Sequence, residues 1–249
     1  MSDDLHESLF VGREVELTLL EKHYKAGTRV IVVHGAAGSG KTSLARMFES
    51  KAQTIFPGGV LYKTAFYRDE IVSLIYKYYQ YTNHILTKDI LLIIDDADSL
   101  SDQDINDIRA ALQRNPKLSL LLIAREPKNI LMPEQFSLEL HGLDRSDFMK
   151  LFLNHAAFAH DIGHGLIYKQ IIEDLYDRLS GLPIFADIAG NSIRDGSLKW
   201  YQLLKAFGDF QCSGIVGPDG QAIASNIQAP ESIIIDIKQT NAELLQKLQ

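Results

Sequence analysis

The sequence predicts an α/β fold: a mostly parallel sheet with helices on both faces, followed by a helical segment and a short β-containing tail. Three observations predict it. Apolar runs without polar alternation, such as Val30-Ile31-Val32-Val33 and Ile90-Leu91-Leu92-Ile93-Ile94, read as strands buried on both faces. Stretches of helical periodicity alternate with these runs, as in βαβ units. The first such strand also feeds straight into a glycine-rich turn, Gly35 to Gly40, that opens a helix.

Taken in order, Val15, Leu17, Leu19, Leu20 and Tyr24 mark a helix over 14–25 that Gly27 ends. A strand over 29–34 and a helix over 41–51 flank the glycine turn. A second strand is expected over 59–66, a tyrosine-rich helix over 70–81, a third strand over 90–94, a helix over 104–113, a fourth strand over 118–124 and a fifth over 137–141. Beyond Leu143 the texture becomes helical, over 145–157, 166–179, 183–193 and 197–207. From Phe210 a β pattern returns, with Pro218-Asp219-Gly220 as a hairpin turn, a run over 233–237 and a final helix over 241–248. The expected organisation is an α/β domain over 1–143, a helical lid over 144–209 and a hairpin and helix over 210–249.

Composition narrows the function classes. No stretch reaches the roughly 18 apolar residues of a membrane span, and the N-terminus lacks the basic and apolar regions of a signal peptide, so the cytoplasm is the expected location. The lone Cys212 forms no internal disulfide, and no Cys/His cluster has zinc spacing. A formal charge of −7 opposes binding of a phosphate backbone by the surface as a whole.

The chemistry concentrates in three places. Gly35-Ala36-Ala37-Gly38-Ser39-Gly40-Lys41-Thr42 fits G-x-x-x-x-G-K-[ST], between a buried strand and a helix as the mechanism requires. The pattern is that of a P-loop. Its glycines turn backbone N–H groups onto phosphate oxygens, Lys41 reaches the β- and γ-phosphates of ATP, and the Thr42 hydroxyl is a ligand for Mg²⁺. Ser43 adds a further polar contact or simply fills the helix. Asp95 and Asp96 end the third strand at the carboxyl edge of the sheet, where ligands of open α/β folds bind. Asp95 is the expected Mg²⁺ partner, Asp96 the group that orients or deprotonates the attacking water, and Asp98 a turn residue. Arg125 follows the fourth strand and is expected beside the phosphates as a γ-phosphate sensor.

Together with Phe10-Val11-Gly12-Arg13, about twenty residues ahead of the P-loop, and Gly181-Leu182-Pro183 opening a late helix, these residues make the chain resemble the STAND class of AAA-related P-loop NTPases. The resemblance covers residues 8 to 207 or so and includes the NB-ARC and NACHT-like modules. It implies a three-layer α/β/α core, ATP and ADP as ligands and slow Mg²⁺-dependent hydrolysis. It places Val11, Gly12 and Arg13 near the adenine, Asp95 and Asp96 at the metal, Arg125 at the γ-phosphate and Pro183 against the base. The chain departs from that class in showing no winged helix, no Met-His-Asp motif and no sensor repeats.

The reading that follows is a signalling switch, in bacterial defence or regulation, whose nucleotide state controls assembly with itself or a protein partner. A DNA-associated ATPase similar to origin-recognition or helicase-loader proteins is the alternative, and the acidic balance counts against it. A small-molecule kinase lacks a marked acceptor pocket, and the intact Lys41, Thr42, Asp95 and Asp96 argue against a degenerate binding module. The usual guanine-reading Asn-Lys-x-Asp is absent, which favours adenine by elimination.

Overall fold

A computed structural model of the chain describes residues 10–65, 88–130, 132, 135–156 and 165–196, with four short strand segments between 211 and 228. The helices expected over 70–81, 197–207 and 241–248, the run over 233–237 and the turn at Pro218 lie outside the described residues. The chain divides into two compact units, between Leu140 and His141.

The first unit holds α1 (Glu14–Lys25), β1 (Val30–His34), α2 (Lys41–Ala52), β2 (Val60–Thr64), β3 (Ile90–Asp95), α3 (Asp102–Arg114), β4 (Leu118–Ile123) and β5 (Gln135–Glu139). The five strands form one parallel sheet in the order β2-β3-β4-β1-β5. Alternate side chains of the central strands feed two cores. Val30, Val32, Leu92, Ile94, Leu120 and Leu122 pack with Ile108, Ala111 and Leu112 of α3 on one face. Ile31, Val33, Leu91, Ile93, Leu121 and Ile123 pack with α1 and α2 on the other, through Leu17, Leu20, Tyr24, Leu44 and Phe48. This is the three-layer α/β/α arrangement of a P-loop NTPase. Tyr24 buries its ring there and satisfies its hydroxyl on the Leu120 carbonyl, 2.8 Å away.

Two elements start two residues earlier than the periodicity reading expects. The helix expected from 104 starts at Asp102, because Ser101 caps it: the Ser101 hydroxyl accepts the Asp104 N–H, and the Asp104 carboxylate accepts the Ser101 N–H in return. The fifth strand spans Gln135–Glu139 rather than 137–141, since its pairing with β1 runs from Val30 with Gln135 to His34 with Glu139. On this edge strand Phe136 and Leu138 pack inward, while Ser137 and Glu139 face solvent.

The second unit contains α4 (Arg145–Ala156), α5 (Gly165–Leu179) and α6 (Pro183–Arg194). Close packing of α6 on α4 rests on Gly190, where a Cβ would come within 2.7 Å of both the Phe152 carbonyl oxygen and the His155 Cβ. The turn between α5 and α6 passes Ser180 and Gly181, both at positive φ. The Gly181 carbonyl accepts the Leu143 N–H at 2.8 Å, and Pro183 opens α6 at its first turn, where a missing N–H costs nothing. Two antiparallel pairs follow, Gln211–Cys212 with Ile227–Gln228 and Ile215–Val216 with Ala222–Ile223. Among the described residues no helix is long and apolar enough to cross a membrane.

Candidate nucleotide site

The loop between β1 and α2 takes the form that its glycines permit. Gly35, Gly38 and Gly40 all lie at positive φ, and Gly35 passes so close to the chain after β5 that a Cβ would sit 2.4 Å from the Leu140 carbonyl oxygen. Gly40 is the N-cap of α2, whose first N–H groups and positive dipole end face the loop. The Lys41 ammonium folds back and donates to the Gly35 and Ala36 carbonyls, each at 2.7 Å. Ala36 and Gly38 are half-buried, Ala37 exposed and Ser39 fully buried, while Thr42 and Ser43 are exposed on the first turn of α2.

The sheet order decides what stands beside this loop. Because β4 lies between β1 and β3, the residues after β4 fall between the glycine loop and the acidic end of β3. The Gly35 N–H donates to the Arg125 carbonyl at 3.2 Å. The Arg125 N–H donates to both oxygens of the Asp98 carboxylate, at 3.0 and 2.9 Å, so three segments are tied edge to edge. The Arg125 side chain itself is exposed.

Electrostatics report the same convergence. Burial holds the Lys41 ammonium below the usual lysine range; Asp98 is the strongest charge opposing that shift, Arg125 adds to it, and Asp95 and Asp96 oppose it. Asp98 lies in the single 3-10 turn Ala97–Ser99, as its sequence context implies, and its carboxylate also holds the backbone of Arg125. That second contact joins residues 27 apart in the chain.

Asp95 is buried at the end of β3, and Asp96 follows in a left-handed conformation with its side chain exposed. One Asp95 oxygen accepts the Asp96 N–H at 2.9 Å, and the other accepts the Tyr62 hydroxyl of β2 at 2.7 Å. Burial, and then the hydrogen bond to Asp95, push the Tyr62 phenol far above its usual range, so it remains the donor at any physiological pH. Arg46 of α2 lies over the Tyr62 ring, 3.3 Å from its centre. Sequence reading passes over Tyr62 and Arg46, since neither belongs to a motif.

Ahead of the loop, Phe10 packs against the core and Val11 is half-buried. Gly12 and Arg13 are buried at positive φ, where Arg13 caps α1. The Arg13 guanidinium pairs with Glu16 at 2.8 Å and donates to the Ser39 carbonyl at 3.0 Å, which anchors this segment to the P-loop. Pro183 belongs to the second unit, at the start of α6.

The hard oxygen donors at Thr42 and Asp95 suit Mg²⁺, which is commonly held by one or two side chains with phosphate oxygens rather than by an all-protein cage. Among the described residues no group of three or more His, Cys, Asp or Glu forms such a cage.

Residues 9–175 match the AAA ATPase domain family. The chain belongs to that family. Its membership carries nucleotide binding with it. No curated protein matches the chain by sequence. Among solved structures, a STAND protein with a tetratricopeptide repeat sensor from Pyrococcus horikoshii is 18% identical, with a TM-score of 0.53 over 80% of this chain. The chain spans 32% of that protein's length. Drosophila ORC bound to DNA is 15% identical, with a TM-score of 0.54 over 83% of this chain and 68% of that one. A Walker-type ATPase from Pyrococcus abyssi is 13% identical, with a TM-score of 0.55 over 80% of this chain and 71% of that one. At these identities the likeness is one of fold.

Proposed function

We propose that the chain is a slow, Mg²⁺-dependent ATPase whose nucleotide state switches its conformation and its assembly with itself or a protein partner. The observation that carries this reading is the strand order, which brings the loop of Lys41, the acids Asp95 and Asp96 that end β3, and the tied residues Asp98 and Arg125 to one edge of the sheet. Such an edge holds a triphosphate and reacts to loss of its last phosphate.

In this reading the N–H groups of Gly35 to Thr42 bind the phosphates, and the Lys41 ammonium exchanges the Gly35 and Ala36 carbonyls for β- and γ-phosphate oxygens. Thr42 and Asp95 hold Mg²⁺, which neutralises the phosphate oxygens when bound. Asp96, exposed and next to the metal-side acid, orients the attacking water and accepts its proton. Arg125 senses the γ-phosphate. Val11, Gly12 and Arg13 border the adenine, with the Arg13 side chain acting through its hold on Ser39, and Pro183 is the base contact that the STAND resemblance implies. ATP and ADP then favour different lid positions, because the γ-phosphate contacts exist in only one state. Signalling in bacterial defence or regulation is the setting that the STAND likeness favours.

Nucleotide affinity, turnover and light scattering with ATP and with ADP, compared between the wild type and Lys41→Ala, test this. Tight adenine nucleotide binding, slow hydrolysis and ATP-dependent scattering, all lost in the variant, are expected. Equal affinities for ATP and ADP with unchanged assembly would overturn the switch. The fold likeness to Drosophila ORC bound to DNA makes salt-sensitive DNA binding the competing outcome, and the charge of −7 opposes it.

A further inference from the structure

Tyr62 stands on edge strand β2 directly opposite Ile93, with Thr64 opposite Asp95. Asp95 is therefore the diagonal neighbour of Tyr62 on the adjacent strand, a separation that an aromatic side chain can span. The phenol crosses it and donates to one Asp95 oxygen at 2.7 Å, while the other oxygen accepts the Asp96 N–H at 2.9 Å. Two donors on opposite oxygens fix the plane of a buried carboxylate and leave its remaining lone pairs for another partner. The far side of Tyr62 is held as well. Arg46 covers the ring at 3.3 Å and is itself paired with Glu49 at 3.1 Å.

Arg46 sits four residues after Thr42 on α2, so the two share a helix face one turn apart. A chain of two contacts results, from Arg46 on α2 through Tyr62 on β2 to Asp95 on β3, and it starts one helical turn from Thr42. One proposed metal ligand, Asp95, ends this chain of contacts, and its other two members lie in no motif.

We infer that Tyr62, braced by Arg46, is a positioning residue that presents the Asp95 carboxylate to Mg²⁺. The inference rests on the proposed Mg-nucleotide site. Tyr62 touches neither nucleotide nor water in this scheme; it acts through Asp95. Its loss removes the metal's contribution to nucleotide binding and leaves the phosphate contacts of the P-loop in place.

The test is a titration of the whole chain with a fluorescent ATP analogue, in Mg²⁺ and in EDTA, alongside thermal melting. The wild type gains affinity from Mg²⁺; if it binds the analogue in neither condition, the proposed function fails and not the role of Tyr62 alone. Tyr62→Phe keeps the ring and the Arg46 contact, so it is expected to melt close to the wild type and to match its affinity in EDTA. Its Mg²⁺-dependent gain is expected to fall about 10- to 100-fold, the usual effect of losing a group that orients a metal ligand. Arg46→Met, on the exposed face of α2, is expected to shift the gain in the same direction by less, and decides the matter if Tyr62→Phe does not fold. An undiminished Mg²⁺ gain in either folded variant would overturn the inference. So would an equal loss of affinity with and without Mg²⁺, which would make Tyr62 a support of the loop and not of the metal ligand.

Discussion

The glycine loop and the acidic sheet edge face the same proposed triphosphate, yet they are built in opposite ways. From Gly35 to Thr42 the chemistry is carried by consecutive backbone groups, and the side chains that matter are close in sequence. At the edge it is carried by residues from separate elements: Asp95 at the end of β3 and Asp98 in the turn after it, Arg125 after β4, Tyr62 on β2 and Arg46 on α2. A local motif tolerates little change in its backbone and shows in the sequence. A dispersed cluster depends on the sheet to assemble it, and each of its members can fail alone.

That difference can be tested from its largest consequence to its smallest. Lys41→Ala removes the charge on which the loop closes, and nucleotide affinity in equilibrium titration is expected to fall by about 100-fold or more. Asp95→Asn keeps the shape and removes the metal-binding charge; nucleotide affinity in EDTA is expected to stay near the wild type, with turnover reduced about 100-fold. If Asp95→Asn instead abolished binding in EDTA, the loop and the edge would not be separable.

Backbone dependence is tested with two glycines. Gly35→Ala places a Cβ 2.4 Å from the Leu140 carbonyl oxygen at a positive φ, whereas Gly27, also at positive φ, has open space around it. Denaturant melts are expected to show a loss of about 3 kcal/mol for Gly35→Ala and about 1 kcal/mol for Gly27→Ala. Equal costs would mean that the loop gives way at Leu140.

Asp98→Asn is the mildest change at the edge. One oxygen still accepts the Arg125 N–H, so turnover is expected to drop only a few-fold, about one weakened hydrogen bond. Its pH profile is more telling. Asp98 is the strongest charge holding the Lys41 proton against the effect of burial. Without it the Lys41 pKa falls further, the ammonium deprotonates sooner as pH rises, and the alkaline limb of nucleotide binding is expected to move to lower pH. An unmoved limb would detach Asp98 from the loop.

Legibility follows the same division. The loop, its flanking strand and helix, and the acids that end β3 are readable because contiguous residue types dictate them. The helix at Asp102 was displaced by two residues because a Ser-x-x-Asp capping box acts ahead of the apolar periodicity. The shift of β5 arose because its pairing with β1 begins at Gln135, while the inward alternation Phe136, Leu138 and Leu140 runs on past the end of the strand. Asp98 and Tyr62 escaped for another reason: their partners lie 27 and 33 residues away, and nothing local distinguishes them from a turn acid and a strand tyrosine.

By itself, then, the sequence determined a parallel α/β fold, the position of the P-loop and the acids at the strand end, since helical and strand periods and glycine conformations are local properties of the chain. Only the tertiary structure decided that β4 separates β1 from β3, that Asp98 holds the backbone of Arg125 and that Tyr62 reaches Asp95. Strand order and diagonal register follow from packing between elements, which no short stretch of residues encodes.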